Sequence, residues 1–496
     1  MKPTRIEKDL LGEREIPAGA LYGIHTLRAL ENFPLTGRTV HPTLVRAFGF
    51  VKGAAVRTNA ALGAWSGEPE KIGAMQEACA EMSEGRLTRH ILVDGLQGGA
   101  GTSTNMNINE VLAARANELL GREPGDGRGV SPLGDVNRHQ STNDTFPTAL
   151  RLAAILEIRS LETEVTRLQE SFQAAEKRMA GVVKVGRTQL QDAVLITLGR
   201  EAGAWGEAFG RDRWRLSKCE ERLRVVNLGG TAIGTGLGAP REYIFRVVDE
   251  LRRQTGIGFA RAENLVEATQ NADVFVEVMG LVKALACTLW KVSGDLRLLA
   301  SGPEAGLGEL ILPPRQAGSS LMPGKVNPVI PEAVAQAAMR VYGNEASLSM
   351  ACAQGSLELN PFLPLVAACL LESVELLRNA CRVLRLHCVD GMEADEARCA
   401  RQIAGATAAA TALVPLLGHE QVTELLRGAN STDIRTLVLE RHLLRPEEYD
   451  AAISAEAVCR LGHSLESAVG GPLRSEGPKP NAGTAERNSA PIRSTP

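Results

Sequence analysis

Four segments of the chain are crowded with short hydroxyl and amide side chains: GGAGTSTNMNIN at 98–109, QSTND at 140–144, GRTQLQDA at 186–193 and GSSLMPGKVNP at 318–328. Such side chains donate hydrogen bonds to a carboxylate without adding charge, so the chemistry they suggest is recognition of a small organic anion. In the first, Thr102, Ser103, Thr104 and Asn105 stand side by side, in what also reads as a glycine turn entering a helix over 110–120. QSTND alone is a helix N-cap: Ser141, Thr142, Asn143 and Asp144 are all favoured caps, and Pro147 suits a first turn. The same helix end offers unpaired N–H groups and partial positive charge, so capping and anion binding are compatible there. The last segment has two adjacent serines, Lys325 and Asn327, then Pro328 and Pro331 at the edge of a helix. It reads as a flexible loop able to close over an anion or, taken alone, as a surface loop with an ordinary lysine.

Other chemistries find no support in these motifs. Residues 318–324 have the wrong spacing for a phosphate loop, and Val326 follows Lys325 where Ser or Thr is required. Gly234-Thr235-Gly236-Leu237-Gly238 lacks the spacing and strand context of a dinucleotide site and reads as a turn. The 9 cysteines form no C-x-x-C pair, and the 8 histidines form no H-x-x-x-H pair, so no zinc site is expected.

The elements that must hold these segments are helices. An interior proline breaks a helix, and prolines are missing from 148–239, 241–302 and 365–414. Apolar residues recur at three- and four-residue steps over 263–300 (Leu265, Val266, Val274, Val278 and on to Leu299), and over 151–179, 331–359 and 365–386. The 263–300 stretch is apolar on more than one stripe, which one neighbouring helix cannot cover; a bundle shared between subunits is implied. Aromatics are only 4% and strand-like alternation is weak, so the fold class expected is all-α, mainly helical. We place a first domain at 1–143, a central helical bundle at 144–398, a small helical domain at 399–470 and a disordered Pro/Gly/Ser-rich tail at 471–496.

Composition sets the compartment and the partners. The apolar (44%) and charged (23%) fractions are those of a soluble globular protein, and a net charge of −3 gives no whole-chain case for nucleic acid. No apolar run approaches the roughly 20 residues needed to span a bilayer. The opening MKPTRIEKDLLGERE has no signal-peptide pattern, and the odd, scattered cysteines suit reduced thiols, so a cytoplasmic location is expected.

GSSLMPGKVNP closely resembles the signature loop of the aspartase/fumarase superfamily, and the other three segments match in order and spacing; the resemblance covers about residues 4–465. Tyr22-Gly23-Ile24-His25-Thr26-Leu27-Arg28-Ala29 is similar to the aspartase opening, where fumarases have Gln-Thr-Gln for His-Thr-Leu. STND at 141–144 agrees with aspartases, since fumarases usually read Ser-Ser-Asn-Asp. Gln189 stands where fumarases carry a histidine. A hydratase benefits from an imidazole near the leaving water, which must depart protonated, whereas an amine bound as –NH3+ leaves as neutral ammonia and needs only a hydrogen-bond partner.

The resemblance implies reversible elimination of ammonia from L-aspartate to give fumarate, with Ser319 as the base that takes the Cβ proton. It assigns Thr102, Ser141, Thr142 and Ser320 as donors to an enediolate intermediate, an effect worth about 3–4 kcal/mol per donor in the best cases. Lys325, Asn327 and Thr188 would hold the α-carboxylate, with Asn143 and Gln189 near the amino group. It also implies a homotetramer with a core of about 20 helices and sites shared between three subunits, with no cofactor, metal, nucleic acid or membrane. Arg138-His139 before QSTND and the fumarase-like Thr145-Phe146-Pro147 depart from the aspartase pattern. His139 is expected to pack or be solvated at the domain junction, or to make a pH-sensitive contact near the site. Fumarate hydratase, a lyase of N-substituted aspartates and an inactive structural homologue stay open as alternatives.

Overall fold

A computed structural model describes residues 3–123, 129–428 and 433–462. The tail at 471–496 and the end of the small domain, 463–470, lie outside the described residues. Two compact units form, one from residues up to 184 together with 196–401, the other from 185–195 together with 402 onward.

The first unit opens with an antiparallel hairpin of β1 (Thr4–Asp9) and β2 (Gly12–Pro17), in register Thr4↔Pro17 to Asp9↔Gly12. It continues through α1 (Ile24–Asn32), α2 (Pro42–Ala61), α3 (Pro69–Ser83) and α4 (Thr102–Leu119). A 37-residue helix, α5 (Thr142–Arg178), follows; at 1.5 Å per residue it is roughly 55 Å long. After the hairpin of β3 (Val183–Thr188) and β4 (Gln191–Thr197) come α6 (Leu198–Leu223), α7 (Arg241–Thr255), α8 (Leu265–Gln270), α9 (Asp273–Leu299), α10 (Val329–Ala353) and α11 (Leu363–His387). Helix α5 packs along α6 and α11, α10 joins α11 to α9, and α9 returns to α6, which closes a five-helix bundle. The fold is mainly helical, as expected.

Periodicity accounts for the bundle. On α9, Phe275, Val278, Val282, Leu285, Leu289, Val292, Leu296 and Leu299 are buried and form one continuous stripe. A second apolar stripe stays open to solvent in the single chain: Trp290 is 41% exposed on α9, and Met339 (47%) and Met350 (63%) are exposed on α10. Trp290 meets Tyr342 of α10 edge-on, centroids 5.7 Å apart.

The helix expected over 263–300 is broken. Asn271 takes an extended conformation, and its side-chain amide bonds back to the Glu267 carbonyl, so α8 ends there and α9 starts afresh. Pro147 lies in the second turn of α5 instead of the first. Having no N–H, it leaves the Asn143 carbonyl without its helical partner, and Asn227 Nδ2 fills the gap at 2.9 Å.

The second unit holds the tip of the β3–β4 hairpin and the short helices α13 (Ala410–Leu417), α14 (His419–Gly428), α15 (Ile434–Glu440), α16 (Pro446–Ala452) and α17 (Ala455–Cys459), preceded by α12 (Glu396–Ala404). Leu413, Val422, Leu425, Ile434, Val438 and Tyr449 give it a small core of its own. No helix among the described residues is long and apolar enough to cross a membrane.

Candidate active site

The first group of site residues sits where α4 and α5 begin. Gly101 caps α4 at φ +93°, and a Cβ there would lie 2.3 Å from the Phe146 ring, so only glycine lets the start of α4 press against α5. The polar run that follows is helix, not loop. Thr104, Asn105, Asn107 and Asn109 are buried and mostly serve the protein: Thr104 N–H and Oγ1 both bond Gln97 Oε1 (2.8 and 3.0 Å), and Asn107 Oδ1 accepts from Leu92 N–H at 2.8 Å. Of the four neighbours read as carboxylate donors, Thr102 is exposed, Ser103 is half-buried, and the other two face inward. Thr102 Oγ1 donates to the Gly99 carbonyl at 2.7 Å.

Ser141 is the N-cap of α5, its Oγ accepting from Asn143 N–H at 3.2 Å, while Asp144 Oδ1 accepts from Ser141 N–H at 3.0 Å to complete a capping box. Thr142 Oγ1 accepts from Asn105 Nδ2 at 3.1 Å, a bond that ties the two helix starts together. Asn143 Nδ2 donates to the Ala232 carbonyl at 2.6 Å. Asp144 Oδ2 receives N–H groups of Gly229 (3.1 Å) and Thr231 (3.0 Å), so the cap also anchors the 227–239 turn region. Burial pushes the Asp144 carboxyl up to about 7, against the three N–H bonds and the charge of Lys52, which favour ionisation.

Under this cap lies Lys52 of α2, fully buried, donating to Asn137 Oδ1 and Gln140 Oε1 at 3.0 Å each. Burial pushes its ammonium down to about 7, with the nearby Asp144 charge acting the other way. His139 packs: its Nδ1 is 2.8 Å from Asn59 Oδ1, its ring meets Tyr243 edge-on at 5.6 Å, and burial followed by the Arg138 charge lowers its pKa.

The second group is the loop before α10. Gly318 N–H donates to the Lys325 carbonyl at 2.7 Å, and Asn327 Nδ2 donates to the Gly318 carbonyl at 2.7 Å, pinching the loop shut at its base. A Cβ on residue 318 would stand 2.7 Å from Lys325 O. Inside the loop, Ser319 Oγ accepts from the N–H groups of Leu321 (3.0 Å) and Met322 (2.8 Å). Two N–H dipoles aimed at one hydroxyl oxygen favour its alkoxide, which is what a serine base requires. Ser320 and Lys325 are exposed, and Lys325 has no ion-pair partner among the described residues.

Thr188 and Gln189 form the third group, at the exposed tip of the β3–β4 hairpin in the second unit. Gln189 and Leu190 have φ of +55° and +64°, left-handed positions that usually fall to Asn or Gly in a two-residue turn.

Within one chain, then, Thr102, Ser141, Thr142 and Asn143 are brought together, and Ser319, Ser320, Lys325 and Asn327 form a separate cluster. No hydrogen bond joins the two among the described residues. The cleft of about 400 Å³ beside Val326–Pro328 is lined by residues such as Leu310, Pro313, Arg315 and His387, and by none from 98–109 or 140–144. Among the described residues no group of three or more His, Cys, Asp or Glu side chains is placed to hold a metal ion. Backbone N–H groups were expected at Ser319, and those of Leu321 and Met322 are there. Sequence reasoning missed Lys52 and Asn137; a lone lysine in the apolar stretch FGFVKGAAV was the available signal for the first.

A helical bundle that presents hydroxyl and amide groups at helix N-termini, with a serine loop at the start of another helix, suits an enzyme of small organic acids. Residues 12–343 match the family described as Lyase, and the chain belongs to that family, within the aspartase/fumarase superfamily its loop resembles. An aspartate ammonia-lyase of Pseudomonas aeruginosa is 46% identical over 446 residues, 89% of this chain and 94% of the relative. One from Escherichia coli (strain K12) is 41% identical over 91% of this chain and 95% of its own length. Among solved structures, a fumarate lyase:delta crystallin from Brucella melitensis bound to cobalt has a TM-score of 0.87 and 44% identity, covering 91% of this chain and 98% of the other. A class II fumarase from Schistosoma mansoni has a TM-score of 0.85 and 30% identity, covering 93% and 100%.

Proposed function

We propose that this chain is an aspartate ammonia-lyase, a carbon–nitrogen lyase that reversibly converts L-aspartate to fumarate and ammonia. The observation that carries the reading is identity of 41–46% to aspartate ammonia-lyases over about nine-tenths of both chains. The fumarase likeness is lower, at 30%, and Gln189 in place of histidine weighs the same way.

In the proposed mechanism Ser319, as alkoxide, takes a proton from Cβ of aspartate. The electron pair spreads into the β-carboxylate as an enediolate, held by Thr102, Ser141, Thr142 and Ser320; collapse of the pair to form the C=C bond expels the amine as ammonia. Neutral donors fixed by helix caps need no reorganisation as the charge develops. Lys325, Asn327 and Thr188 bind the α-carboxylate, with Asn143 and Gln189 beside the amine. Ser319 then returns its proton to water. No cofactor enters the scheme.

The falling of the site residues into two clusters with no hydrogen bond between them among the described residues supports a homotetramer in which three subunits supply each site, and the solvent-open stripe of Trp290, Met339 and Met350 supports a bundle that continues into neighbouring copies. Division into 1–143, 144–398 and 399–470, and a cytoplasmic location, belong to the same proposal.

The test is fumarate absorbance on adding L-aspartate or L-malate to the purified protein and its Ser319→Ala variant. Fumarate from aspartate alone, lost in the variant, is expected; release from malate instead would make the protein a hydratase, and silence with both would remove the reading.

A further inference from the structure

Lys52 plays no part in the chemistry above, yet it is fully buried and sits directly beneath the helix starts that carry four of the site residues. An ammonium only donates hydrogen bonds, so whatever it touches must present an acceptor. Its Nζ bonds Asn137 Oδ1 at 3.0 Å, which fixes the orientation of that amide; the Asn137 NH2 is accordingly turned to the Gln140 carbonyl at 3.2 Å. Asn137 Oδ1 also faces Asn105, 3.2 Å away, and since it is an acceptor, Asn105 must present its NH2. The same Asn105 nitrogen lies 3.1 Å from Thr142 Oγ1, so its remaining N–H donates there. Thr142 therefore accepts from behind, and its single O–H proton is left to point away from Asn105. The chain of polarity runs from Lys52 to one hydroxyl through two amides, with Asn109 Nδ2 a further donor to the same Asn137 oxygen at 3.2 Å.

We propose that Lys52 is a positioning residue: through Asn137 and Asn105 it fixes the direction of the Thr142 hydroxyl, so that this group donates its proton to the substrate carboxylate. The inference rests on the dicarboxylate reading given above and adds to it the group that orients one donor.

Asn105→Asp tests it with almost no change in shape. Once ionised, at a pH above the raised pKa that burial gives it, the introduced carboxylate cannot donate to Thr142, so the hydroxyl turns back to donate to it and is lost to the substrate. Asn105→Asp and Thr142→Val should each lower kcat/KM for aspartate by about 100-fold, the usual loss for one oriented donor. The double variant should be no worse than Thr142→Val alone, because both remove the same O–H. Lys52→Met should show the same non-additivity with Thr142→Val; if it does not fold, the near-isosteric Asn105→Asp carries the test. The same cycle is read from succinate affinity by calorimetry, which needs no turnover. Losses that multiply, or an Asn105→Asp protein of unchanged kcat/KM and succinate affinity, would overturn the role of Lys52 while leaving an active lyase. A wild-type protein that neither releases fumarate nor binds succinate would remove the underlying reading, and this role with it.

Discussion

Replacing Asp144 with asparagine should change the pH dependence of stability more than stability itself. The carboxyl is fully buried and accepts three N–H groups, from Ser141 through one oxygen and from Gly229 and Thr231 through the other. Asparagine has the same shape but one acceptor oxygen. Turned toward Gly229 and Thr231, it keeps two bonds and sets its NH2 against the Ser141 N–H. Losing that bond and leaving a buried donor unpaired costs about 1–3 kcal/mol. Against this stands the burial of the charge, which pushes the wild-type carboxyl from 3.8 up to about 7.

The folded pKa exceeds the unfolded one, so the contribution of this group is fully present below pH 3.8 and is lost as pH rises through about 7. Between pH 5 and pH 8 the wild type should lose roughly 3 kcal/mol through this group, at 1.4 kcal/mol per pH interval up to the folded value. The variant has no such proton. Its deficit relative to wild type should therefore be large at pH 5 and shrink by roughly 3 kcal/mol toward pH 8. Lys52, lowered to about 7, adds stability as pH rises toward 10.5, but it is present in both proteins and drops out of the difference apart from its attraction to Asp144. Urea unfolding of both proteins at pH 5, 6, 7 and 8 and one protein concentration measures this. A difference constant to within about 0.5 kcal/mol would mean that the three N–H donors outweigh burial and that Asp144 is ionised throughout.

Gly318→Ala puts a Cβ 2.7 Å from the Lys325 carbonyl and 2.9 Å from Asn327 N, so it should open the base of the loop and lower kcat/KM by 10-fold or more; because the loop is largely exposed, stability should move by less than about 1 kcal/mol. Leu190→Gly relieves a left-handed residue whose side chain is 70% exposed, and should raise stability by roughly 1 kcal/mol, read as a higher unfolding midpoint; a lower one would show that the leucine side chain is held by a contact outside the single chain. Mixing inactive Ser319→Ala with inactive Thr102→Ala subunits after reversible dissociation should restore activity in about a quarter of sites if different subunits supply the two residues. No recovery above the separate variants would place both residues in one chain's own site.

What the sequence made legible was local. The cap of α5 is written as Ser141 with Asp144 three residues on, and the long helices follow from proline-free stretches with three- and four-residue apolar steps, so both are read without knowing what they touch. The break at Asn271 was not legible, because apolar spacing runs through it and only the bond back to Glu267 ends the helix. The β1–β2 hairpin was missed since TRIEKD and GEREIP have few apolar residues to mark a strand, and in the second only Ile16 is buried. The β3–β4 turn was missed because Gln189-Leu190 is not a turn pair by type. Lys52 was passed over for a different reason: its partners Asn137 and Gln140 are 85 and 88 residues away, and only the packing of α2 against α5 brings them within reach.

The distribution of charge around the two clusters bears on why the site is built from neutral donors. Aspartate brings two carboxylates and one ammonium. A pocket lined with several cations would bind fumarate well and repel the ammonium that must sit beside it, so product would be favoured over substrate in the ground state. One exposed lysine, Lys325, can pair one carboxylate. In the proposed mechanism the other carboxylate carries the developing enediolate, and there hydroxyls, amides and the N-termini of α4 and α5 offer donors whose interaction grows as charge accumulates. The buried Lys52 fits the same logic: held behind the cap, it adds no cation at the proposed contact surface, and its influence reaches that surface only as the direction of a hydroxyl. On that proposal a positive charge orients a dipole and is kept from where it would compete with the substrate's own amine.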